Sequence, residues 1–420
     1  MKILVLGAGV VGTTSAWFLS KAGHEVTVVE RQADAGLETS FANGGQISVS
    51  HALPWANPAA PAKALRWLLK EDAPLLFRMR LDPFQWRWCL RFLFECMPQR
   101  TAANIRQIVK LGLHSRAVLK ELRKETGILY DHLAQGILHF YTDQAAYDDA
   151  QEPARIMREH GCDLRMLTPD EAIAIEPALR HARQHIVGAS MAPADESGDA
   201  FKFTSALAGM AAQRGVEFRY ATTVKGIVAN GDSITGIVVS NGAGETSSLS
   251  ADAYLVALGS FSTALLRPLG VDLLVYPAKG YSVTFPVEYP DLAYSVSLTD
   301  DARKLVFSRL GERLRIAGTA ELGSNDTGLN AVRCNAIVRR TLELFPGIAK
   351  PEQAEFWAGL RPSTPSNVPY IGRTKFRNLY LNTGHGTLGW TQACGSAHAI
   401  AEIVSGRDPG IDFAFTGADR

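Results

Sequence analysis

The feature that most constrains this chain is a glycine-rich turn close to its N-terminus. Gly7, Gly9 and Gly12 form a GxGxxG pattern that follows the apolar run 2–6 and opens a helical pattern. A second β-favouring run, 25–30, completes a strand–helix–strand unit. In such a unit the glycines allow a tight turn and let the backbone approach a pyrophosphate. The sequence therefore predicts a dinucleotide-binding site at this turn.

A carboxylate at the end of the second strand refines this prediction. Glu30 stands where an acidic side chain accepts hydrogen bonds from the ribose hydroxyls of a dinucleotide and repels a 2′-phosphate. The helix after the turn presents free N–H groups and a partial positive charge to the phosphates. NADP is therefore disfavoured, whereas the turn alone does not distinguish FAD from NAD.

Composition excludes other classes of protein. The 420 residues carry a formal charge of +1, which provides no field that would attract nucleic acid. Five cysteines are scattered without a CxxC pair, which argues against a metal centre or a disulfide scaffold and suits a reducing, cytoplasmic location. No apolar stretch approaches the roughly 20 residues of a spanning helix, and we interpret the apolar N-terminus as a strand rather than a signal peptide.

Further polar, glycine-rich segments suit a flavin, and the alternatives are a surface turn for the first and a second dinucleotide site or a simple capped helix for the second. Residues 38–48 read ETSFANGGQIS, and residues 384–391 read GHGTLGWT at the start of a predicted helix. With GLRPSTPSNVPYIG at 359–372, they resemble the D-amino acid oxidase and glycine oxidase superfamily, and most of all the bacterial D-amino acid dehydrogenases. The resemblance spans nearly the whole chain, and NTGHGTLGWTQACGS is its most specific stretch.

The resemblance implies bound FAD and the oxidative deamination of a D-amino acid, with a hydride passing from the substrate Cα to the flavin N5. It also implies that the N-terminal turn holds the pyrophosphate, that Val224 meets the adenine, and that the C-terminal turn lines the isoalloxazine edge. The predicted cofactor-binding residues are then Gly7, Gly9, Val10, Val11, Gly12, Glu30, Arg31, Ser40, Asn43, Gly44, Gly45, Val224, Gly259, Gly386, Gly389, Trp390 and Thr391.

The chain departs from the family pattern at one turn. Ser366 and Asn367 follow Thr-Pro where the family commonly has Asp-Gly, and because Asn still suits a turn, the turn type is in question rather than the cofactor. Some relatives tether the flavin to a cysteine beside this motif. The sequence has no cysteine between Cys334 and Cys394, so we expect FAD to be bound non-covalently.

The order of the elements predicts an α/β fold with two interleaved domains. Residues 63–125 are mostly helical in pattern, whereas the β-rich runs within 275–318 favour an antiparallel sheet over βαβ units. We expect a Rossmann-type FAD-binding domain that is discontinuous in sequence, and an α+β substrate domain built on an antiparallel sheet. The predicted boundaries are 1–55, 186–272 and 346–420 for the FAD-binding domain, and 56–185 and 273–345 for the substrate domain.

Three residues are candidates for substrate chemistry. Arg361 suits a substrate carboxylate because its planar guanidinium donates two hydrogen bonds and stays charged; the alternative is a surface ion pair. Tyr281, on a predicted strand, either donates to the same carboxylate or is a buried structural tyrosine. His385, beside the C-terminal turn, is either a hydrogen-bond donor near the flavin or a capping or core histidine. FAD is expected to supply the remaining chemistry.

Residues 75–97 mix Trp, Phe and Leu with four arginines, a composition typical of the membrane interface. A dehydrogenase passes its electrons onward, and a membrane quinone is the expected acceptor. The resemblance also implies peripheral contact with the inner face of the cell membrane. A helix packed inside the substrate domain is the alternative interpretation of this segment.

Three other functions fit parts of the sequence. A glycine, sarcosine or proline-type oxidase or dehydrogenase would share the fold. An NAD-dependent enzyme would share the N-terminal turn, and a catalytically silent FAD-binding subunit would share both glycine-rich turns. The expected substrate is a small amino acid, and the preference for the D-enantiomer rests on the resemblance alone.

Overall fold

The N-terminal strand–helix–strand unit forms at the predicted place in the computed structural model, which describes residues 1–67, 70–323 and 325–418. β1 is Lys2–Leu6, α1 is Val10–Lys21 and β2 is Glu25–Val29. Gly7 adopts a φ of +103°, and a Cβ on Gly12 would lie 1.9 Å from the Gly7 carbonyl oxygen. Both glycines are therefore sterically required for the turn.

The remaining described elements follow in chain order. The strands are β3 (Gln46–Ile47), β4 (Leu75–Phe77), β5 (Ile137–Tyr141), β6 (Arg165–Leu167), β7 (Gly188–Ala192), β8 (Glu196–Ser197), β9 (Glu217–Arg219), β10 (Thr223–Asn230), β11 (Ser233–Ser240), β12 (Thr246–Leu249), β13 (Ala253–Val256), β14 (Tyr276–Pro286), β15 (Ser297–Asp300), β16 (Leu305–Leu310), β17 (Arg313–Leu322), β18 (Glu355–Ser363), β19 (Tyr370–Arg373) and β20 (Leu379–Thr383). The helices are α2 (Ala60–Trp67), α3 (Pro83–Glu95), α4 (Pro98–Thr126), α5 (Gln144–Asp149), α6 (Gln151–Glu159), α7 (Pro169–Ile175), α8 (Ala200–Gln213), α9 (Ser262–Leu266), α10 (Ala331–Leu344) and α11 (Gly389–Val404).

A parallel sheet forms the nucleotide-binding half. Its strand order within the described residues is β19-β20-β13-β1-β2-β9, and every neighbouring pair except β19 with β20 is parallel. Ile3 and Val5 pack towards helices α1, α8 and α11, whereas Leu4 and Leu6 pack towards the small antiparallel sheet β10-β11-β12. Both faces are buried from Ile3 onwards, which explains why β1 is apolar after Lys2. The predicted Rossmann-type arrangement is confirmed.

A larger sheet forms the other half, and it is mostly antiparallel, as predicted. Its order within the described residues is β18-β14-β17-β16-β15-β5-β7-β6, with β4 paired to β17. Strands β7 and β18 belong to this sheet, although the predicted boundaries place residues 186–272 and 346–420 in the FAD-binding domain. Sheet membership and those boundaries therefore differ at two strands, and the division into domains remains a prediction.

The prediction that residues 63–125 are mostly helical is confirmed in the described residues, and one short strand lies within this range. β4 interrupts it and pairs in parallel with β17, and Arg78 N donates to the Leu322 carbonyl at 2.8 Å. The helix pattern resumes at α3, where Asp82 accepts a hydrogen bond from Phe84 N. Pairing with a strand remote in sequence therefore determines the conformation of residues 75–77. The predicted loop 54–62 also contains the start of α2, and the part of the helical prediction at 68–69 lies outside the described residues.

Candidate active site

A cavity of about 1230 Å³ is lined by residues of both large sheets. The carboxyl ends of β1, β2 and β13 open onto it, which is where parallel α/β sheets bind ligands. Gly12 packs against Gly7 instead of lining the cavity. The structure brings all the other predicted site residues together on its walls: Gly7, Gly9, Val10, Val11, Glu30, Arg31, Ser40, Asn43, Gly44, Gly45, Val224, Gly259, Tyr281, Arg361, His385, Gly386, Gly389, Trp390 and Thr391.

Glu30 is a buried carboxylate whose partners belong to the nucleotide turn. Its Oε2 accepts from Ala8 N at 2.8 Å, and its Oε1 accepts from Gln32 N at 2.9 Å. Burial raises the pKa of Glu30, while these two N–H groups act in the opposite direction. The neighbouring Arg31 pairs with Glu38. The carboxylate is thus fixed at the end of β2 with lone pairs left for ribose hydroxyls.

The N-terminus of α1 is open towards the cavity. Gly9 occupies the capping position and offers no side chain, and the first intrahelical bond runs from Thr13 N to Gly9 O at 2.9 Å. The N–H of Val10 donates to Ser40 Oγ at 3.0 Å. The N–H of Val11 precedes the first intrahelical bond, so it is available to an anion. This end of the cavity suits a pyrophosphate.

The glycine-rich loop after β2 lies tightly against the larger sheet. A Cβ on Gly44 would lie 2.4 Å from Cγ2 of Val306, and Gly45 adopts a φ of +72°. Asn43 stabilises the loop by accepting a hydrogen bond from Gly45 N at 2.9 Å. Any larger residue at Gly44 would displace either the loop or the sheet. The backbone therefore forms the cavity wall at this point.

A second glycine turn precedes α11. Gly384 and Gly386 have φ values of +84° and +55°, and His385 between them is buried. His385 Nε2 bonds with Ser396 Oγ at 3.1 Å, and burial lowers the pKa of His385 to about 3. Because this nitrogen is engaged within the fold, the arrangement favours the core-histidine alternative over a donor to the flavin. The same turn directs the N-terminus of α11 at the cavity.

Arg361 reaches into the cavity across the neighbouring strand. A Cβ on Gly280 would lie 2.5 Å from the guanidinium Cζ, so only glycine leaves this path open. Nη1 donates to the Thr319 carbonyl at 2.6 Å and Nη2 to the Gly318 carbonyl at 3.4 Å. Burial and, to a smaller extent, the charge of Arg333 lower the pKa of Arg361 to about 10. Among the described residues it has no carboxylate partner, so its charge is left for a ligand.

Tyr281 points away from this guanidinium. Side chains alternate along β14, so Tyr281 and Gly280 face opposite sides of the sheet. The Tyr281 hydroxyl donates to Glu321 Oε2 at 2.7 Å, and Glu321 also accepts from Arg78 Nε at 2.8 Å. Burial and this hydrogen bond raise the pKa of Tyr281 well above its usual value. Tyr281 is among the residues that line the cavity, but its side chain packs in a hydrophobic core and its hydroxyl is engaged by Glu321, which favours the structural alternative.

Asp195 is a buried residue near the site that sequence reasoning missed. Its Oδ2 accepts from Ser48 Oγ at 2.9 Å and from Ser50 Oγ at 2.6 Å. Ser48 N in turn donates to Thr391 Oγ1 at 3.0 Å, which fixes the loop against the start of α11. The polar stretch 195–199 was the only sequence signal, and it does not reveal that Asp195 is buried.

Asn382 is a second missed residue. It is fully buried, it lines the cavity, and its Nδ2 donates to Ser15 Oγ at 3.0 Å. Its Oδ1 is buried without a hydrogen-bond partner among the described residues. Buried polar atoms are normally satisfied, so this oxygen suits a donor from a bound ligand. Asn382 lies within the specific NTGHGTLG stretch, which was the available signal.

Together these features fit FAD. The cavity is larger than the 300–1,000 Å³ or so that drug-sized ligands occupy, as an extended dinucleotide requires. One part offers a carboxylate and an open helix N-terminus, and another offers a second helix N-terminus behind a glycine turn. The unpartnered Asn382 oxygen and the backbone wall at Gly44 lie on the same cavity.

Comparison with known proteins agrees with this geometry. The model of the DAO family, described as FAD dependent oxidoreductase, matches residues 2–403. A D-amino acid dehydrogenase from Dechloromonas aromatica is 58% identical over 415 residues, covering 99% of each chain. One from Paramagnetospirillum magneticum is 52% identical over 421 residues, covering 100% of this chain and 99% of that protein. The predicted resemblance is thereby confirmed.

Solved structures share the fold at low sequence identity. A glycine oxidase from Geobacillus kaustophilus has a TM-score of 0.75 and 24% identity, and the match covers 100% of this chain and 99% of that one. An L-proline dehydrogenase from P. horikoshii has a TM-score of 0.73 and 20% identity, with 97% and 96% covered. At these identities the likeness describes the fold alone. The predicted fold class is confirmed.

Proposed function

The chain belongs to the DAO family of FAD-dependent oxidoreductases, and we propose that it catalyses the oxidative deamination of D-amino acids. The observation that carries this proposal is Arg361, a cavity-lining guanidinium without a carboxylate partner in the described part of the chain. Buried charges are normally paired, so this position suits an anion such as an amino acid carboxylate. The names of the similar dehydrogenases support the preference for the D-enantiomer.

Residues along the cavity would hold FAD in an extended form. The open N-terminus of α1, with Val11, would bind the pyrophosphate, and Glu30 would accept from the ribose hydroxyls. Val224, at the start of β10, would lie beside the adenine. The N-terminus of α11, with Trp390 and Thr391, would lie against the isoalloxazine and stabilise negative charge there.

FAD, when bound, supplies the chemistry by accepting a hydride from the substrate Cα. Arg361 orients the substrate by holding its carboxylate with two N–H groups. His385 stays neutral near pH 7 because its pKa is about 3, so it adds no positive charge beside the site. The substrate amine loses its proton to solvent, and the imino acid product hydrolyses to a 2-oxo acid and ammonia.

The direct test is anaerobic addition of D-alanine to the purified FAD-loaded protein. We expect the visible flavin absorbance to bleach with D-alanine and to remain with L-alanine. Bleaching by glycine, sarcosine or L-proline instead would assign the chain to the related amine oxidases and dehydrogenases. If none of these compounds bleaches the flavin, the protein is a non-catalytic FAD-binding subunit and the proposal fails.

Non-covalent attachment of FAD is part of the same proposal. Cys89 lines the cavity, and burial raises the pKa of its thiol to about 11, which keeps it from acting as a nucleophilic thiolate. Acid precipitation of the holoenzyme should therefore release all of the flavin into the supernatant. Flavin that stays with the denatured protein would contradict non-covalent binding.

An exposed apolar surface borders the cavity and supports a membrane-bound electron acceptor. Trp86 and Leu93 belong to this surface and also line the cavity, so the two are continuous. Exposed arginines accompany it, which suits an anionic lipid surface. No helix in the described ranges is long and apolar enough to cross a membrane. We name this surface the apolar rim, and its members are Met79, Leu81, Trp86, Leu90, Leu93, Phe94 and Met97.

We therefore infer peripheral membrane contact through the apolar rim, with a quinone as acceptor. The two electrons and two protons that convert a quinone to a quinol equal those that an amino acid loses on becoming an imino acid. A quinone dissolved in the bilayer would reach the cavity through the rim without crossing water. The cytoplasmic face of the cell membrane is the location that fits this route.

Vesicle flotation tests the rim. A Leu81→Asp/Leu90→Asp variant changes two exposed rim residues, and Leu129→Asp is the matched control at an exposed leucine outside the rim. Wild type and the control should float with vesicles of phosphatidylglycerol and phosphatidylethanolamine, whereas the rim variant should stay in the dense fraction. Equal flotation of all three proteins would count against membrane contact through this surface.

A further inference from the structure

The sheet beside Arg361 extends from β17 to β4. Nη1 of Arg361 donates to the Thr319 carbonyl at 2.6 Å, and the next residue of β17, Ala320, pairs with Leu75 on β4. Neighbouring strands lie about 4.8 Å apart. β4 therefore lies only one strand beyond the carbonyl that holds the guanidinium, within reach of a small molecule bound to Arg361.

Two of the three side chains of β4 face the cavity. Leu75 and Phe77 line it and are half-buried, whereas Leu76 between them is buried and does not line it. On β17, Ala320 and Leu322 also line the cavity, and they pair with Leu75 and Phe77. The four residues form one continuous apolar surface, which we name the β4 wall: Leu75, Phe77, Ala320 and Leu322.

A bulge in β17 joins the β4 wall to the rest of the cavity. Between the partners of Lys279 and Tyr281, β17 contains one residue more than β14. At this shift Thr319 adopts a φ of +51°, which is rare for a β-branched residue. Residues three apart in a regular strand face opposite sides, but here Ala317 and Ala320 both line the cavity. The bulge therefore places the β4 wall on the same face as Ala317.

Arg361 bonds to β17 between the glycine-rich loop and the β4 wall. A Cβ on Gly44 would lie 3.5 Å from the Cβ of Ala317, so this loop, whose glycines are predicted to bind the cofactor, packs on β17 before Thr319. Ala320 of the β4 wall follows Thr319. A substrate held by its carboxylate at Arg361 therefore has the loop on one side and the β4 wall on the other.

The chemistry of the β4 wall indicates which part of the substrate meets it. With the carboxylate at Arg361 and the Cα hydrogen towards the cofactor, the amine and the side chain of the substrate remain. The four apolar side chains of the wall offer no acceptor to an amine, so the wall suits the substrate side chain. An apolar side chain that packs there is removed from water, which is favourable.

Charged groups of the same strands point away from the β4 wall. Glu321 of β17 pairs with Arg78 at 2.8 Å and with Lys279 at 3.9 Å, and none of these three residues lines the cavity. A charged substrate side chain would lose water at the wall without gaining an ion pair from them. Lys63 and Lys304 line the cavity outside the wall, so acidic and basic substrates are separate tests.

We propose that the β4 wall holds the side chain of the substrate, and that Leu75 and Phe77 are specificity-determining residues which favour D-amino acids with apolar side chains. This inference rests on the proposed function, because it places the side chain of the substrate that Arg361 binds by its carboxylate. D-Alanine carries only a methyl group and gains little from the wall, whereas D-leucine buries a larger apolar surface against it. Amino acids with charged side chains are disfavoured.

Steady-state kinetics with the FAD-loaded enzyme and a soluble dye acceptor test the substrate class. The kcat/KM for D-leucine should exceed those for D-glutamate and D-lysine by about 100-fold or more, because a charge is brought to an apolar surface. The value for D-alanine should lie between them. A kcat/KM for either charged substrate that equals or exceeds that for D-leucine would overturn the inference.

Variants of Phe77 test the assigned residue. Phe77→Ala should lower kcat/KM for D-leucine by about 10- to 100-fold and leave that for D-alanine within about twofold of wild type. Phe77→Leu, a smaller change that keeps the strand apolar, should shift the ratio of the two values in the same direction by less. Leu76→Ala, on the same strand but facing away from the cavity, is the matched control and should keep the wild-type ratio.

A role of Phe77 in quinone access is the competing interpretation, because its ring centroid lies 6.4 Å from that of Trp86 in the apolar rim. An unchanged ratio in both Phe77 variants, or a change only in the KM for 2,3-dimethoxy-5-methyl-1,4-benzoquinone, would sink the inference. If Phe77→Ala loses its flavin, the ratio in Phe77→Leu decides. Absence of bleaching by every D-amino acid in wild type would instead contradict the proposed function.

Discussion

Glu30 and Arg361 are charged side chains at two ends of one cavity, and the fold treats them in opposite ways. Both oxygens of Glu30 accept hydrogen bonds from nearby backbone N–H groups. The guanidinium of Arg361 has only two carbonyl groups as partners, and the described residues supply it with no opposite charge. The carboxylate is therefore largely satisfied before any ligand binds, whereas the guanidinium is not.

This contrast shows which charged side chain is satisfied by the protein itself and which one requires a ligand of opposite charge. Local backbone groups hold Glu30, so it orders the nucleotide turn, and its proposed role towards the ribose follows from this fixed position. Arg361 keeps its charge because a pKa of about 10 is still well above neutral pH. His385 is buried on the same cavity and can lose its proton, so it becomes neutral instead. Of the three groups, only Arg361 has an electrostatic demand that a substrate carboxylate can meet.

The largest effect is expected at the nucleotide end, where backbone atoms determine the site. Gly12→Ala would place a Cβ 1.9 Å from the Gly7 carbonyl oxygen, and neither backbone segment can yield without opening the turn. We expect purified Gly12→Ala protein to contain less than about a tenth of the wild-type flavin, measured by visible absorbance per protein.

Gly209→Ala is the control for this change. A Cβ at Gly209, within α8, meets nothing within 4 Å, so flavin content should be unchanged and stability should rise by up to about 1 kcal/mol. If Gly12→Ala retains flavin like this control, the nucleotide end does not depend on the close approach of its backbone.

The next largest effect is expected at Arg361. Arg361→Ala removes the guanidinium that we propose holds the substrate carboxylate, so kcat/KM for D-alanine should fall by about 100- to 1,000-fold, with KM raised and kcat lowered. Flavin content should stay at the wild-type level. The kcat/KM of Arg361→Lys should lie between those of wild type and Arg361→Ala, because lysine keeps the charge but lacks the two parallel donors of a guanidinium.

Arg180→Ala, at an exposed arginine outside the cavity, is the matched control and should leave kinetics unchanged. Loss of flavin from Arg361→Ala with unchanged turnover per flavin would refute the role assigned to this residue. The contrast between the two ends of the cavity would then disappear.

A smaller effect in the same direction is expected from Gly280→Ala. The new Cβ would lie 2.5 Å from the guanidinium Cζ, and the flexible end of Arg361 would shift rather than the strand. We expect KM for D-alanine to rise about tenfold while flavin content and folding are retained. Gly226→Ala on β10, where a Cβ meets nothing within 4 Å, should have no such effect. Equal KM values in both variants would show that the path across Gly280 does not position Arg361.

The smallest effect is expected at His385, the buried side chain that is neutral because it has lost its proton. The pKa of His385 is about 3 in the fold against an ordinary value of 6.5, so between these pH values the unfolded chain binds a proton that the native chain does not. Stability therefore falls as the pH is lowered, by about 2 kcal/mol from this residue between pH 7.5 and pH 5. His385→Gln cannot titrate, and its thermal midpoint should fall less over this interval.

His181→Gln, at an exposed histidine, is the control and should fall with pH as wild type does. An acid sensitivity of His385→Gln equal to that of wild type would show that His385 does not titrate between the native and unfolded states as expected. The distinction between His385, which becomes neutral on burial, and Arg361, which stays charged, would then not be supported.

Short-range patterns made the nucleotide half predictable. The glycine turn, the apolar strand before it and Glu30 lie within one strand–helix–strand unit, where chain connectivity alone determines which residues meet. The second glycine turn before α11 was visible for the same reason. The mostly helical prediction for residues 63–125 did not reveal β4, because this strand depends on pairing with the remote β17.

Tertiary structure determined which face of the sheet a side chain occupies and which groups it bonds to. The sequence identified Arg361 and Tyr281 as candidates, but only strand pairing shows that Gly280 opens a path for one, while Glu321 engages the hydroxyl of the other.

By itself, then, the sequence predicted a dinucleotide site at the N-terminal turn, and through its resemblance it identified the flavoenzyme family. Tertiary structure alone revealed that Arg361 has no carboxylate partner among the described residues and that Ser48 and Ser50 donate hydrogen bonds to the buried Asp195. The physical reason is distance along the chain: a local pattern records backbone conformation, whereas the net charge and hydrogen bonding of a buried group depend on residues far away in sequence.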